Sequence, residues 1–138
     1  MVDVARLTTG SVETAEEIVQ EAFADLYLHF DAVGAPDAYL RRAVVSRCTS
    51  WVRRRVTERR HLGRLGPEDR PWSDPDTAAT MAAIGRLPAR QRAAIVLRYY
   101  ADLPEIEIAA ALGCRAGTVK SLLARARARL AKELNDDH

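Results

Sequence analysis

The sequence has 138 residues, of which 48% are hydrophobic and 29% charged, with a formal net charge of +2. That balance fits one globular domain or two small ones, and no apolar run approaches the ~18 residues a bilayer span requires. Two cysteines, Cys48 and Cys114, are too few for a zinc or paired-thiol site; they permit one disulfide at most and fit a reducing cytoplasm better. The N-terminus shows no basic stretch leading into an apolar one, so no secretory signal is expected.

Alternating β-branched runs are missing, and Ala, Leu, Glu and Arg dominate, so an all-α chain is expected. A first helix is predicted from Val12 to about Phe30. Ile18, Val19, Ala22, Phe23, Leu26, Tyr27 and Phe30 form its apolar stripe, and Ser11 stands at its cap. The segment Asp31 to Pro36 breaks it. A second helix is predicted from Pro36 or Asp37 to Arg55 or beyond, with one apolar stripe of Leu40, Ala43, Val44, Cys48, Trp51 and Val52. From 62 to 76 the glycines and prolines scattered among acids read as a flexible linker, with Trp72 an odd presence inside it. This divides the chain into domains of 1–61 and 77–138. In the second, helices are predicted over Thr77–Arg86, Pro88–Tyr100, a short stretch before Gly113, and Ala116–Leu134. Ile106, Ala109 and Ala110 are expected to pack inward. The last two helices and the turn between them have helix-turn-helix spacing.

The small net charge hides blocks. Residues 1–38 carry −7, residues 39–66 carry +8, residues 67–85 carry −3 and residues 86–138 carry +4. Two basic blocks beside acidic ones suggest two polyanion contacts and an acidic surface for another partner. In a helix-turn-helix the second helix enters the major groove. Arg115, Thr118, Lys120, Ser121 and Arg125 would then face DNA, with Val119, Leu122, Leu123, Ala126 and Leu130 on the buried side. Lys and Arg neutralise phosphate, and short hydroxyls reach phosphate or base edges.

A family resemblance lies in these residues. The stretches Leu87-Pro-Ala-Arg-Gln-Arg-Ala-Ala-Ile-Val-Leu-Arg-Tyr-Tyr-Ala-Asp-Leu, Glu107-Ile-Ala-Ala-Ala-Leu-Gly-Cys, Gly117-Thr-Val-Lys-Ser and Ala124-Arg-Ala-Arg-Ala-Arg-Leu resemble region 4 of extracytoplasmic-function (ECF, group IV) sigma factors of bacterial RNA polymerase. Ala15-Glu-Glu-Ile-Val-Gln-Glu-Ala-Phe-Ala-Asp-Leu-Tyr and Pro36-Asp-Ala-Tyr-Leu-Arg-Arg-Ala-Val-Val-Ser-Arg-Cys-Thr-Ser-Trp resemble region 2 of the same family, in an actinobacterial-like form. The resemblance implies a region 2 helical bundle and a region 4 helix-turn-helix. It implies binding to core RNA polymerase, at the β′ clamp helices and the β flap, to promoter DNA and to an anti-sigma factor. Glu17, Gln20, Glu21, Asp25 and Leu26 would meet polymerase. Asp37, Tyr39, Arg42, Ser46, Arg47 and Ser50 would meet the −10 element, with Trp51 placed between stacking and core packing. The helix-turn-helix would read the −35 element.

Three departures accompany the resemblance. The family carries a long helix before the Thr8-Thr9-Gly10 turn, and here Val2 to Leu7 match its end. Ser46 and Ser50 stand where Asn is common. Pro104 and Arg115 occupy the positions of the usual serine caps, and each lost cap costs roughly 1 kcal/mol. His29, His61 and His138 are scattered, with no metal-ligand spacing, and no phosphate-binding loop is present. No catalysis, cofactor, metal, membrane contact or small-molecule substrate is therefore expected. Two other readings stay open: a stand-alone helix-turn-helix regulator, and a protein that titrates an anti-sigma factor without binding polymerase.

Overall fold

The computed structural model describes residues 1–62 and 74–136. Among them are seven α-helices and no strand: α1 (Val2–Thr9), α2 (Val12–Leu28), α3 (Pro36–Leu62), α4 (Pro75–Gly85), α5 (Ala89–Ile95), α6 (Glu105–Leu112) and α7 (Ala116–Asp136). A 3-10 turn (Phe30–Ala32) follows α2, and a π-helical segment (Val96–Tyr100) continues α5. Most of the predicted linker, Trp72 included, lies outside the described residues.

The first unit is a three-helix bundle. Gly10, at φ 77°, ends α1, and α2 folds back from it with the Ser11 hydroxyl accepting from the Thr14 amide at 3.2 Å. Such a left-handed residue suits glycine, and the serine satisfies a helix-start amide that has no partner inside the helix. Ala5, Ala15, Ile18, Val19, Ala22, Val44 and Cys48 form its core, with Leu40, Ala43 and Trp51 at the edge. The buried threonines Thr8 and Thr9 return their hydroxyls to the carbonyls of Val4 and Ala5. The stripe predicted for α2 is buried only along its first half. Phe23, Tyr27 and Phe30 are exposed, because two-turn α1 is much shorter than α2 and covers only that part.

The second unit is built from α4 to α7. Its first helix starts at Pro75, two residues before the predicted Thr77. The Asp74 carboxylate caps it, accepting from the backbone amide and hydroxyl of Thr77 at 2.8 Å each, and Pro75 suits the first helical position. These two bonds hold the Asp74 carboxyl below its ordinary pKa. The helix predicted over Pro88–Tyr100 is α5 plus the π segment, where the Ala101 amide reaches the Val96 carbonyl at 3.2 Å. Asp102, at φ 56°, closes that wide turn. The inward residues of α6 are Ile108, Ala109 and Ala111. Ile106 is 73% exposed, and Ala110 is exposed as well, which corrects the expected facing. Leu103, just before α6, is buried in the second unit's cluster, where Ile106 was expected to contribute.

The two units are packed on each other, which the sequence reading did not foresee. Val4 of α1 and Val45 of α3 belong to the same apolar cluster as Ile84, Leu87, Leu97, Ile108, Val119 and Leu123. Helix α3 is therefore apolar on two sides: Val44 and Cys48 face the first unit's core, Val45 the second unit.

Two stability outcomes follow from these positions. Ile108→Ala, at a fully buried site, is expected to cost about 3 kcal/mol, and Ile106→Ala within about 0.5 kcal/mol of nothing, by denaturant titration. Gly113→Ala is expected to cost about 1 kcal/mol, read as a melting point lower by ~2–5 °C. Its backbone is left-handed, and the added methyl would stand 3.2 Å from the movable guanidinium of Arg42.

Candidate nucleic-acid interface

The turn between α6 and α7 is set by backbone bonds. Cys114 donates to the Ala109 carbonyl at 3.0 Å and Gly113 to Ala110 at 3.4 Å, around Gly113 at φ 68° and ψ 39°. This Schellman arrangement satisfies carbonyls that the end of α6 would otherwise leave bare. No side chain caps α6 at Pro104, and at the start of α7 the Arg115 carbonyl receives the amides of Thr118 and Val119. The absent serine caps are thus replaced by backbone geometry.

Helix α7 presents two faces. Val119, Leu123 and Ala126 are buried, with Leu122 and Leu130 packed against the same cluster. Arg115, Lys120, Ser121 and Arg125 are exposed and Thr118 is half-buried, so all five predicted DNA-facing residues lie at or near the open surface. The remaining arginines do structural work. Arg127 donates to the Tyr99 hydroxyl at 2.6 Å and lies 5.5 Å over its ring, while Arg129 and Arg86 both pair with Glu133, at 3.8 and 3.0 Å. Among the described residues no ion pair engages Arg115, Lys120 or Arg125.

The first unit carries a second candidate surface. A cleft of about 410 Å³ runs between α2 and α3, lined by Thr14, Glu17, Ile18, Glu21, Ser46, Arg47, Ser50, Trp51 and Arg54. It brings together predicted polymerase contacts, Glu17 and Glu21, and predicted −10 contacts, Ser46, Arg47 and Ser50. Arg47 pairs with Asp25 at 3.2 Å and Glu21 at 3.7 Å, so a residue expected on DNA is held by the acidic helix. Trp51 is half-buried: it packs against the first core, lines the cleft, and carries the Arg55 guanidinium 5.1 Å above its ring. Gln20 is exposed on α2, and Asp25 and Leu26 are half-buried. Asp37 is exposed in the first turn of α3, and Tyr39 is half-buried. Arg42 is set apart from the cleft, on the side of α3 that faces the Gly113 turn.

Sequence reasoning missed Arg92 and Tyr100. Arg92 is 8% exposed and donates to the carbonyls of Thr8 at 2.9 Å, Leu87 at 3.3 Å and Gly85. Its spacing from Ala89 and Ile95, which share its face, was the available signal. The Tyr100 hydroxyl donates to the Asp3 carboxylate at 2.7 Å, a bond that raises its pKa. Both cysteines are free thiols, and burial pushes Cys48 up to about 12, leaving it without appreciable thiolate at neutral pH. Among the described residues no cluster of three or more His, Cys, Asp or Glu residues is placed to hold a metal ion, and no helix is long and apolar enough to cross a membrane.

Residues 2–57 match the family model for sigma-70 region 2, and residues 77–130 match that for sigma-70, region 4. An RNA polymerase sigma-E factor of Streptomyces antibioticus is 39% identical over 126 residues, spanning 87% of this chain and 70% of that protein. The ECF RNA polymerase sigma factor SigM of Mycobacterium tuberculosis is 36% identical over 137 residues, spanning 94% of this chain and 69% of that protein. Among solved structures, the sigma factor RpoE of Bartonella quintana, in complex with the anti-sigma factor NepR, matches with a TM-score of 0.76 and 26% identity over 99% of this chain and 91% of that one. With both regions matched in order on the two helical units just described, the chain belongs to the extracytoplasmic-function sigma factors of the sigma-70 family.

Proposed function

We propose a division of labour by which this sigma factor directs core RNA polymerase to its promoters. The second unit reads the −35 element with α7, the first unit engages polymerase through α2 and the −10 element through α3, and polymerase performs the chemistry. The observation that carries the reading is the α7 surface: Arg115, Lys120, Ser121 and Arg125 exposed, opposite buried Val119, Leu123 and Ala126 and behind a turn fixed by Gly113. A duplex meeting that face encounters cations with no ion pair to break among the described residues, and hydroxyls within reach of base edges.

In the first unit, Glu17, Gln20, Glu21, Asp25 and Leu26 form the surface offered to polymerase, at the β′ clamp helices. The β flap would take the second unit. Asp37, Tyr39, Arg42, Ser46, Arg47 and Ser50 form the surface offered to −10 DNA. Melting needs bases taken from the stack at a cost of a few kcal/mol, and an arginine-rich helix repays part of this on the displaced strand's phosphates. Arg47 would first exchange Asp25 and Glu21 for phosphate, which places its contribution after docking on polymerase. Trp51, with one side toward the cleft, is the available stacking surface. Ser46 and Ser50, with one hydroxyl each, read fewer features of a base than an amide would.

The region 2 match over residues 2–57 supports this reading over a stand-alone helix-turn-helix regulator. An anti-sigma factor is the expected regulator, supported by the complex in which the Bartonella quintana relative was solved. Sigma factors are initiation factors rather than enzymes, and the same holds in our reading for this chain, which would act in the cytoplasm, where polymerase and chromosome meet.

Lys120→Ala with Arg125→Ala is expected to weaken binding to a −35 duplex and to flatten the plot of log affinity against log salt by about 2 in slope. An unchanged slope rejects the recognition-helix assignment. Glu21→Lys is expected to abolish co-elution with core polymerase on size exclusion at unchanged helicity. Its only described ion pair, to Arg47 at 3.7 Å, is solvent-exposed and worth less than about 1 kcal/mol. Normal co-elution of that variant removes α2 from the polymerase contact.

A further inference from the structure

Helix α2 changes character halfway along its solvent side. Glu13, Glu16, Glu17 and Gln20 are exposed over its first turns, and Phe23, Ala24, Tyr27 and Leu28 follow them at the same three- and four-residue spacing. Phe30 carries the apolar part on into the 3-10 turn. Tyr27 is 82% exposed, Leu28 75%, Phe30 56% and Phe23 52%. Among the described residues, neither apolar cluster takes in any of these four, and none of them lines the cleft between α2 and α3.

The three rings alone leave roughly 400 Å² open, taking about 200 Å² for an aromatic side chain. An apolar patch of that size on a single chain marks a contact surface. Two copies closing on it remove about 800 Å² through the rings, and upwards of ~1,000 Å² with Leu28, Ala24 and the rim, which is where weak specific interfaces begin. The charges on α2 decide what can close there. An acidic face running through the patch would repel a second copy, but the glutamates stop short of it. At a rise of 1.5 Å per residue, Glu17 lies about 15 Å and Glu16 about 16 Å along the axis from Tyr27. Glu21 and Asp25 are nearer, and both are paired with Arg47 on the α3 side. Asp31, in the turn that follows, sits at the edge. Two α2 helices crossing antiparallel at Tyr27 overlap apolar on apolar. Their glutamates then point away in opposite directions, about 30 Å apart and well beyond the screening length of ~8 Å. A cationic partner gains nothing over the patch itself, where Phe23, Ala24, Tyr27 and Leu28 offer no charge.

We infer that Phe23, Tyr27, Leu28 and Phe30 form the interface of a weak two-fold homodimer of this chain, with the two α2 helices antiparallel across Tyr27. Phe23 of one copy then lies beside the Phe30 turn of the other. The contact is isologous: each copy gives and receives the same patch, so assembly stops at two. The cleft lies on the α3 side of α2 and the α7 face on the other unit, so pairing leaves both candidate nucleic-acid surfaces open.

The test is the mass of the full chain in solution, by sedimentation velocity over a concentration series from about 1 to about 500 µM. The expected result is a weight-average mass that rises from one chain of 15.3 kDa toward twice that value and no further. Tyr27→Lys and Leu28→Lys are each expected to weaken pairing at least about tenfold, by placing a charge in the apolar overlap. Both side chains are exposed, so helicity by circular dichroism is expected to stay unchanged. Glu16→Gln is expected to leave the midpoint where it is, and so is raising the salt from about 0.05 to about 0.5 M, because the glutamates lie outside the overlap. A mass of one chain at every concentration overturns the homodimer, as does assembly that continues past two. Lysine variants that pair like the wild type overturn it too, since another surface is then in use. Association that weakens with salt overturns the apolar overlap in favour of acidic α2 on a basic face. A monomeric chain that binds the apolar dye ANS, and loses the dye with Tyr27→Lys, overturns the second copy as occupant and leaves the patch to a different apolar partner.

Discussion

Adjacent residues Val44 and Val45 point about 100° apart on α3, and each is buried in a different apolar cluster. That one-residue step is the constraint from which the architecture follows. Val44 and Cys48 close a three-helix unit with α1 and α2. Val45 closes against the second unit, where α3 packs on α5 and α6. Two small units of some 60 residues are each near the limit of what an apolar core sustains alone. Sharing α3 and Val4 of α1 gives both a larger one. The same sharing commits α3 to two tasks, because its remaining faces carry the arginines.

The boundary between the units is set by hydrogen bonds as well as by area. A buried guanidinium costs several kcal/mol unless it is hydrogen-bonded, and the Thr8, Gly85 and Leu87 carbonyls accept from the two terminal nitrogens of Arg92. Such a group specifies one arrangement of α1 against α5, since a slip of one residue would strand it. Thr8 contributes twice: its carbonyl takes Arg92, while its hydroxyl is turned back to Val4 and leaves no polar atom facing the apolar cluster. The π segment adds the solvent-side bond. From that segment Tyr100 bonds to Asp3 of α1, across the units, and Tyr99 to Arg127 of α7, within the second unit.

Much of this was legible in the sequence. The apolar spacing gave α2, α3 and α7 nearly as they stand, because each has a periodic stripe and a clear start at Ser11, Pro36 or Ala116. Gly113 marked the helix-turn-helix turn, since few other residues accept its φ. Burial of Val119, Leu123 and Ala126 leaves Lys120, Ser121 and Arg125 on the exposed side of α7, with Thr118 half-buried and Arg115 exposed just before it. What was illegible depends on contacts between distant segments. Val45 read as off-stripe because a single stripe was sought on a helix that has two. Arg92 was missed because its acceptors are backbone carbonyls, which no sequence shows. Ile106 read as core because alternation around Leu103 to Ala109 does not reveal where α6 enters. Phe23, Tyr27 and Phe30 read as core because helix spacing says which residues share a face but not how far the neighbouring helix extends.

The arginines of α7 show how one composition serves both stability and recognition. Arg127 and Arg129 are spent on Tyr99 and Glu133, within the protein, whereas Arg115, Lys120 and Arg125 have no ion pair among the described residues. A cation already paired to a carboxylate must break that pair to neutralise a phosphate, so it contributes less to affinity than one facing solvent. Arg47 on α3 belongs to the paired class, with Asp25 and Glu21, and so differs in kind from the α7 set. Were polymerase to occupy those two acids, Arg47 would lose its partners and become available at the moment the −10 strand arrives. The acidic face of α2 then acts twice, as the docking surface and as the restraint on a DNA contact. The order of events, polymerase before −10 DNA, would be written in the competition of Asp25, Glu21 and phosphate for one guanidinium.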